Sequence, residues 1–369
     1  MAAAAATKLK FRSPAAVAMV SLLAGLAAAS TSAEAADIAV VAPQSGPYAL
    51  LGSQIIEGAK AAAAAEGEEV TLIDESCAED DHTSVATAII SSGAEAAIGF
   101  LCSETLATAL PELASADIPA ISVSVRWKSL MEDALKHDWP FYRLAPAPDD
   151  EGEKVAKTIL TGFADRAIAL IDDGTIHGRE LVDDVRNRLE TGGLKPVFVD
   201  TFRPGQENQI ALVRRLQRAG ATHVFVGGDR NDVATIARDA AAEKVDLTLI
   251  GGDSMRAANR PVPLPDGVDA VALPDYRELQ SASAVVGTLR ESGIEPEGYV
   301  LPAYAAVQIV GAAQAKASGK PLASVLTSRP FDTVIGKIAF AANHELADNP
   351  YRLQTWRGDH FELVSPPGE

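Results

Sequence analysis

From Asp37 onward, short β-rich runs alternate with Ala-rich stretches of helical periodicity, which restricts the chain to parallel sheets joined by crossover helices. Residues 38–43 read as the first strand, which ends in the turn Gln44-Ser45-Gly46-Pro47 and is followed by a helix over 51–65. Strands are expected at 70–74, 96–100 and 119–123, separated by helices over 83–92 and 104–115. After the bend Ala145-Pro146-Ala147-Pro148 the plan recurs, with strands at 167–171, 196–200, 222–227 and 247–251. The expected class is α/β, with two doubly wound parallel-sheet lobes. The tail breaks the rhythm: 300–317 reads as one long apolar helix, and 333–340 and 351–364 as strands. Arg357-Gly358-Asp359 reads as the hairpin turn of the last pair rather than as an adhesion signal.

The segment before Asp37 reads as a secretory leader over 1–36. Lys8, Lys10 and Arg12 precede an apolar run over 15–29, and Ala33-Glu34-Ala35 supplies the small-x-small cleavage pattern. The run is shorter than the ~20 residues of a membrane-spanning helix. No Cys follows it and no twin Arg precedes it, so export as an unfolded, unlipidated chain into the periplasm is expected.

Composition narrows the functional classes. Lys plus Arg number 32 against 50 Asp plus Glu, a net charge of −18 that repels a phosphate backbone, so no nucleic-acid partner is expected. The six His form no i,i+4 pair and no Cys-x-x-Cys occurs, so neither a metal nor another cofactor is expected. Cys77 and Cys102 are the only thiols; in an oxidising compartment they suggest one disulfide, with two buried free thiols as the alternative. Gly252-Asp253-Ser254-Met255 has the look of a hydrolase nucleophile block. That block belongs near a mature N-terminus and needs an Asp three residues before a His, which no His here has. A secreted hydrolase is therefore the weakest reading.

Eight segments, in this order, carry a resemblance: VAPQSGPYALLG (41–52), IDESC (73–77), IGFLCSE (98–104), HVFVGGD (223–229), LIGGDS (249–254), YVLPAYAAVQIVGAA (299–313), FDTVIGKIAF (331–340) and YRLQTWRGDHF (351–361). With them the chain resembles the leucine/isoleucine/valine-binding protein family, the type I periplasmic binding proteins of ABC importers. The resemblance implies two lobes joined by a three-crossover hinge, an N-terminal lobe of 37–143 plus 276–330 and a C-terminal lobe of 144–275 plus 331–369. It implies a monomer that closes on an amino acid or organic acid and engages an inner-membrane ABC permease; a sensory module docking on a receptor is the competing use. It also implies the pairing of Cys77 with Cys102.

Carried over residue by residue, the resemblance implies a ligand site of Ser45, Leu51, Ser103, Ser124, Arg126, His177, Asp229 and Asp253. Each has a plainer alternative. Ser103, His177 and Asp253 can be helix caps, Asp229 a solvated loop acid, and Arg126 the internal partner of Asp229 or Asp253. Arg126 stands where the family usually has Thr, and the expected pocket holds fewer tyrosines than the family's amino-acid binders. Both departures open the ligand class to organic acids.

Overall fold

The computed structural model describes residues 37–77 and 84–364. The leader expected over 1–36 and the expected helix start at 83 lie outside the described residues. The first sheet is built from β1 (Asp37–Ala42), β2 (Glu69–Asp74), β3 (Ala96–Gly99), β4 (Ala120–Ser122) and β5 (Phe141–Arg143). Between them run α1 (Ala49–Glu66), α2 (Ser84–Ser92), α3 (Ser103–Ser115) and α4 (Lys128–Lys136). The strand order is β2-β1-β3-β4-β5 and every pairing is parallel, with Val40 opposite Leu72 on one side and Ile98 on the other. Because both faces are covered, β1 is an apolar run rather than an alternation, and its side chains divide by period two. Ile38, Val40 and Ala42 enter one core; Ala39 and Val41 enter the other.

The second sheet repeats the plan. It contains β6 (Ile168–Asp172), β7 (Phe198–Thr201), β8 (His223–Gly227), β9 (Thr248–Gly251) and β10 (Asp269–Ala272), with α5 (Asp150–Gly162) before β6 and α6 (Ile176–Thr191), α7 (Ile210–Arg218) and α8 (Arg230–Glu243) between strands. Its parallel part runs β7-β6-β8-β9-β10, the same order as the first sheet. Here Ala169 and Ile171 face one core and Ile168 and Leu170 the other.

The chain then returns to the first sheet with α9 (Ser283–Glu291), α10 (Val300–Ala317) and α11 (Leu322–Leu326). Helix α10 packs on α1 so closely that a Cβ at Gly58 would stand 2.0 Å from the Val300 carbonyl oxygen. The hairpin of β11 (Phe331–Thr333) and β12 (Gly336–Ile338) follows, then β13 (Arg352–Arg357) and β14 (His360–Leu363), which extend the second sheet antiparallel beyond β10. The turn at Gly358 has φ +61°, and Arg357 pairs with His360 across it, as expected for a two-residue hairpin.

Packing differs from the expected lobe division in one place. Phe331, Val334, Ile335 and Phe340 lie in the core of the first sheet, against α10, although 331–369 was expected with the second. Their apolar side chains pack with those of α10. The chain therefore crosses between sheets over 144–149, again between β10 and α9, and a third time over 341–351.

Candidate functional site

In an open parallel sheet of this strand order, adjacent crossovers leave in opposite directions beside the first strand, and the carboxyl ends there form a crevice. This chain has two such points. In the first sheet they lie after β1 and β3, in the second after β6 and β8. The candidate residues follow these strands and their neighbours: Ser45 and Leu51 after β1, Ser103 after β3, Ser124 and Arg126 after β4, His177 after β6, Asp229 after β8 and Asp253 after β9.

The turn after β3 is unusual. Gly99 and Phe100 both have positive φ, +103° and +59°, and Phe100 pays for no open space there because its side chain is fully buried. The Phe100 carbonyl accepts from the hydroxyls of Ser122 (3.3 Å) and Ser124 (2.9 Å). Glu75, 1% exposed, accepts the next two amides, Leu101 N–H at 2.6 Å and Cys102 N–H at 3.3 Å. Burial pushes the Glu75 carboxyl up to about 7, with the two amides pulling it down and Asp74 adding to the rise. Beside it the Cys77–Cys102 disulfide joins the end of β2 to the residue before α3, Cα to Cα 5.4 Å. The turn is thereby held from three sides, and the half-buried Ser103 begins α3 directly after it.

Several alternatives are settled by local geometry. Ser103 is not the cap of α3, since Cys102 occupies that position. His177 does not cap α6 either: the Thr175 hydroxyl accepts from Gly178 N–H at 3.0 Å, leaving His177 exposed on the first turn. Asp229 stands at the cap position of α8 but makes no capping bond, and it is exposed. Asp253 begins a short 3-10 turn, and its Oδ1 accepts from Leu273 N–H at 2.9 Å, across to the end of β10. Ser124 has its proton committed to Phe100, so it faces the site as an acceptor only.

Arg126, Asp253 and His177 are brought together around groups that sequence reading missed. Arg126 Nη1 donates to the Tyr351 hydroxyl at 3.1 Å. Burial opposes the guanidinium charge, but Tyr351, Asp253 and Tyr299 outweigh it and hold the pKa above its ordinary value. Among the described residues no carboxylate lies within 4 Å of Arg126, so the alternative of an internal pairing with Asp229 or Asp253 is not formed. Glu151, 7% exposed at the start of α5, takes Asp253 N–H on its Oε1 at 2.8 Å. Burial raises its carboxyl, Asp253 adds to the rise, and the Asp253 amide, His177 and Arg126 oppose it. A side chain at Gly252 would collide with that oxygen, 2.2 Å from its Cβ position.

Tyr276 and Tyr351 complete the wall. Burial raises both phenols, and both sense Arg126 and Asp253. Tyr276, Tyr299 and Tyr351, which the sequence reading did not single out, arrive from the second crossover, the start of α10 and the third crossover. No local signal marks them, because they reach Arg126 only through the tertiary fold. Asp229 shares its electrostatic neighbourhood with Asp232 and not with this cluster. Among the described residues Arg126 has no carboxylate within 4 Å, Asp253 and Glu151 stand within its electrostatic reach, Asp253 Oδ1 also has Arg256 Nη1 at 3.9 Å, and phenols lie nearby, an arrangement that can take a small ligand bearing a carboxylate.

Comparison with known proteins agrees with this architecture. Leu/Ile/Val-binding protein homolog 2 of Brucella abortus (strain 2308) is 29% identical over 336 residues, 87% of this chain and 90% of its own. In fold, the chain is similar to a putative branched-chain amino acid ABC transporter protein from Rhodospirillum rubrum, at TM-score 0.76 and 17% identity over 90% of this chain and 100% of that one. It is also similar to an ABC transporter substrate-binding protein from Desulfitobacterium hafniense in complex with Leu, at TM-score 0.64 and 19% identity over 90% and 100% of the two chains. A solute-binding protein from R. palustris in complex with benzoate gives TM-score 0.59 and 18% identity over 90% and 96%. With paired parallel sheets of like order, strand-end residues converging between them and a periplasmic binding protein profile matching residues 35–360, the chain belongs to the periplasmic binding protein family.

Proposed function

We propose that this chain is the periplasmic receptor of an ABC importer, capturing a small carboxylate-bearing ligand between its lobes and presenting the closed form to a membrane permease. The first lobe is taken as 37–143 with 276–340, and the second as 144–275 with 341–369. The observation that carries the ligand class is Arg126, an accessible guanidinium with no carboxylate partner, opposite Asp253 and Glu151. A guanidinium accepts a carboxylate through two parallel N–H bonds, which a Thr in its place cannot do. An amino acid satisfies both sides, its carboxylate at Arg126 with Ser103 and its ammonium at Asp253.

A specific feature favours an aromatic acid as second reading. Asp253 Oδ1 and Glu151 Oε1 each already accept a backbone amide, which weakens their call on an ammonium, and three phenols surround Arg126. Calorimetry with L-leucine and sodium benzoate separates the readings, because Asp253→Asn abolishes binding of the zwitterion and leaves benzoate binding nearly unchanged. A wild-type protein that binds neither compound, nor any other amino acid or organic acid in a thermal-shift screen, rejects the assignment.

A further inference from the structure

Arg143 ends β5, where the chain leaves the first sheet for the first crossover, and its side chain is 0% exposed. It has no access to the cleft, yet its guanidinium reaches toward the site. Nη1 lies 3.0 Å from Glu345 Oε1, on the third crossover. Nη2 donates to the carbonyl oxygen of Trp127 at 2.8 Å, and Trp127 is the residue after Arg126. The Arg143 amide donates to the His344 carbonyl at 3.1 Å, and the His344 ring stacks on Tyr142 with centroids 4.4 Å apart. One side chain thus joins the loop that carries Arg126 to two of the three crossovers.

Packing alone does not account for charge in this place. Taking each ion out of water costs several kcal/mol, and apolar side chains of similar volume often serve stability as well or better. Burial accordingly lowers the pKa of Arg143 and raises that of Glu345, each partner opposing the other's shift. A guanidinium combines two holds in one plane: Nη2 donates a hydrogen bond to the Trp127 carbonyl, while Nη1 stands beside Glu345 as a close ion pair without hydrogen-bond geometry. Of the loop's other ties, Arg126 Nη1 to the Tyr351 hydroxyl at 3.1 Å also reaches the third crossover, whereas Lys128 Nζ to Asp149 Oδ2 at 2.7 Å is largely exposed and is worth little.

We infer that Arg143 is a positioning residue, which grips Trp127 and Glu345 so that Arg126 and the third crossover move as one body when the lobes close. Its consequence for ligand binding rests on the reading of Arg126 given above; the grip itself does not. The test replaces the buried pair with apolar side chains, Arg143→Met with Glu345→Leu, in the full chain. The melting temperature is expected to stay level or rise. In ligand-free protein, amide exchange across 123–128 is expected to quicken at least tenfold while α10 is unchanged, and affinity for L-leucine or sodium benzoate, whichever the wild type binds, to fall at least tenfold. Should the double variant fail to fold, Arg143→Lys carries the same criteria, since it keeps the charge but loses the fork. Wild-type exchange across 123–128 overturns the inference, as does wild-type affinity beside faster exchange. Faster exchange together with a wild type that binds neither probe, nor any other amino acid or organic acid in the thermal-shift screen, upholds the grip and rejects the ligand reading instead.

Discussion

At the scale of single residues, the site is governed by where charge lacks a partner. Arg126 leans on a phenol and not on a carboxylate, which on the proposed reading leaves its charge for a ligand. Arg126→Ala is expected to weaken the identified ligand by roughly 2 kcal/mol or more, the scale of a charge-assisted pair, with little change in melting temperature. Calorimetry beside thermal unfolding checks both halves. Glu75 makes a different prediction. Its folded pKa of about 7 exceeds the ordinary 4.5, so the folded state holds the proton more tightly than the unfolded one. The stability it contributes is fully present below pH 4.5 and is lost as pH rises through about 7, by roughly 3 kcal/mol at ~1.4 kcal/mol per unit. Glu75→Gln should flatten that part of a pH series of unfolding free energies; an unchanged slope would show that Glu75 does not titrate there.

At the scale of elements, two joints can be broken one at a time. The Cys77–Cys102 bridge closes a loop with a sequence separation of 25 and anchors the turn before α3 to β2. Opening it, by reduction or by replacing both residues with Ser, is expected to cost about 3 kcal/mol, and mass spectrometry of the unreduced protein should find the two peptides joined. The second joint is between α1 and α10. Gly58→Ala drives a methyl group into the Val300 carbonyl, and because that contact is with backbone, a helix must move. A loss of about 1–3 kcal/mol is expected despite the gain in helix propensity, measurable by denaturant titration.

At the scale of the whole molecule, two sheets of the same strand order are joined by three chain crossings, and in the reading proposed above their carboxyl ends face one cleft. A hinge of this kind closes when a ligand binds both walls better in the closed form than in the open one. Small-angle scattering should record a smaller radius of gyration with ligand than without, and an unchanged value would count against closure.

Much of the fold was legible in the sequence, because most strands carry strong apolar patterning. The candidates Ser45, Ser103, Arg126, His177 and Asp253 could be assigned to positions just past β1, β3, β4, β6 and β9 once those strands were read. The short strands β5 and β10 were not read, although β3, β4 and β9, equally short, were; β5 and β10 flank the points where the chain leaves a sheet, outside the strand–helix alternation that marked the others. Glu151 and the three tyrosines carry no local mark of function; they meet Arg126 only because crossovers bring distant segments to one point. The hairpin at 331–338 reads as strand in either lobe, and only the fit of Phe331 and Phe340 against α10 decides that it joins the first. Local periodicity is a property of neighbours in the chain and so is written in the sequence, whereas convergence depends on how the crossovers are packed, which only the tertiary structure decides.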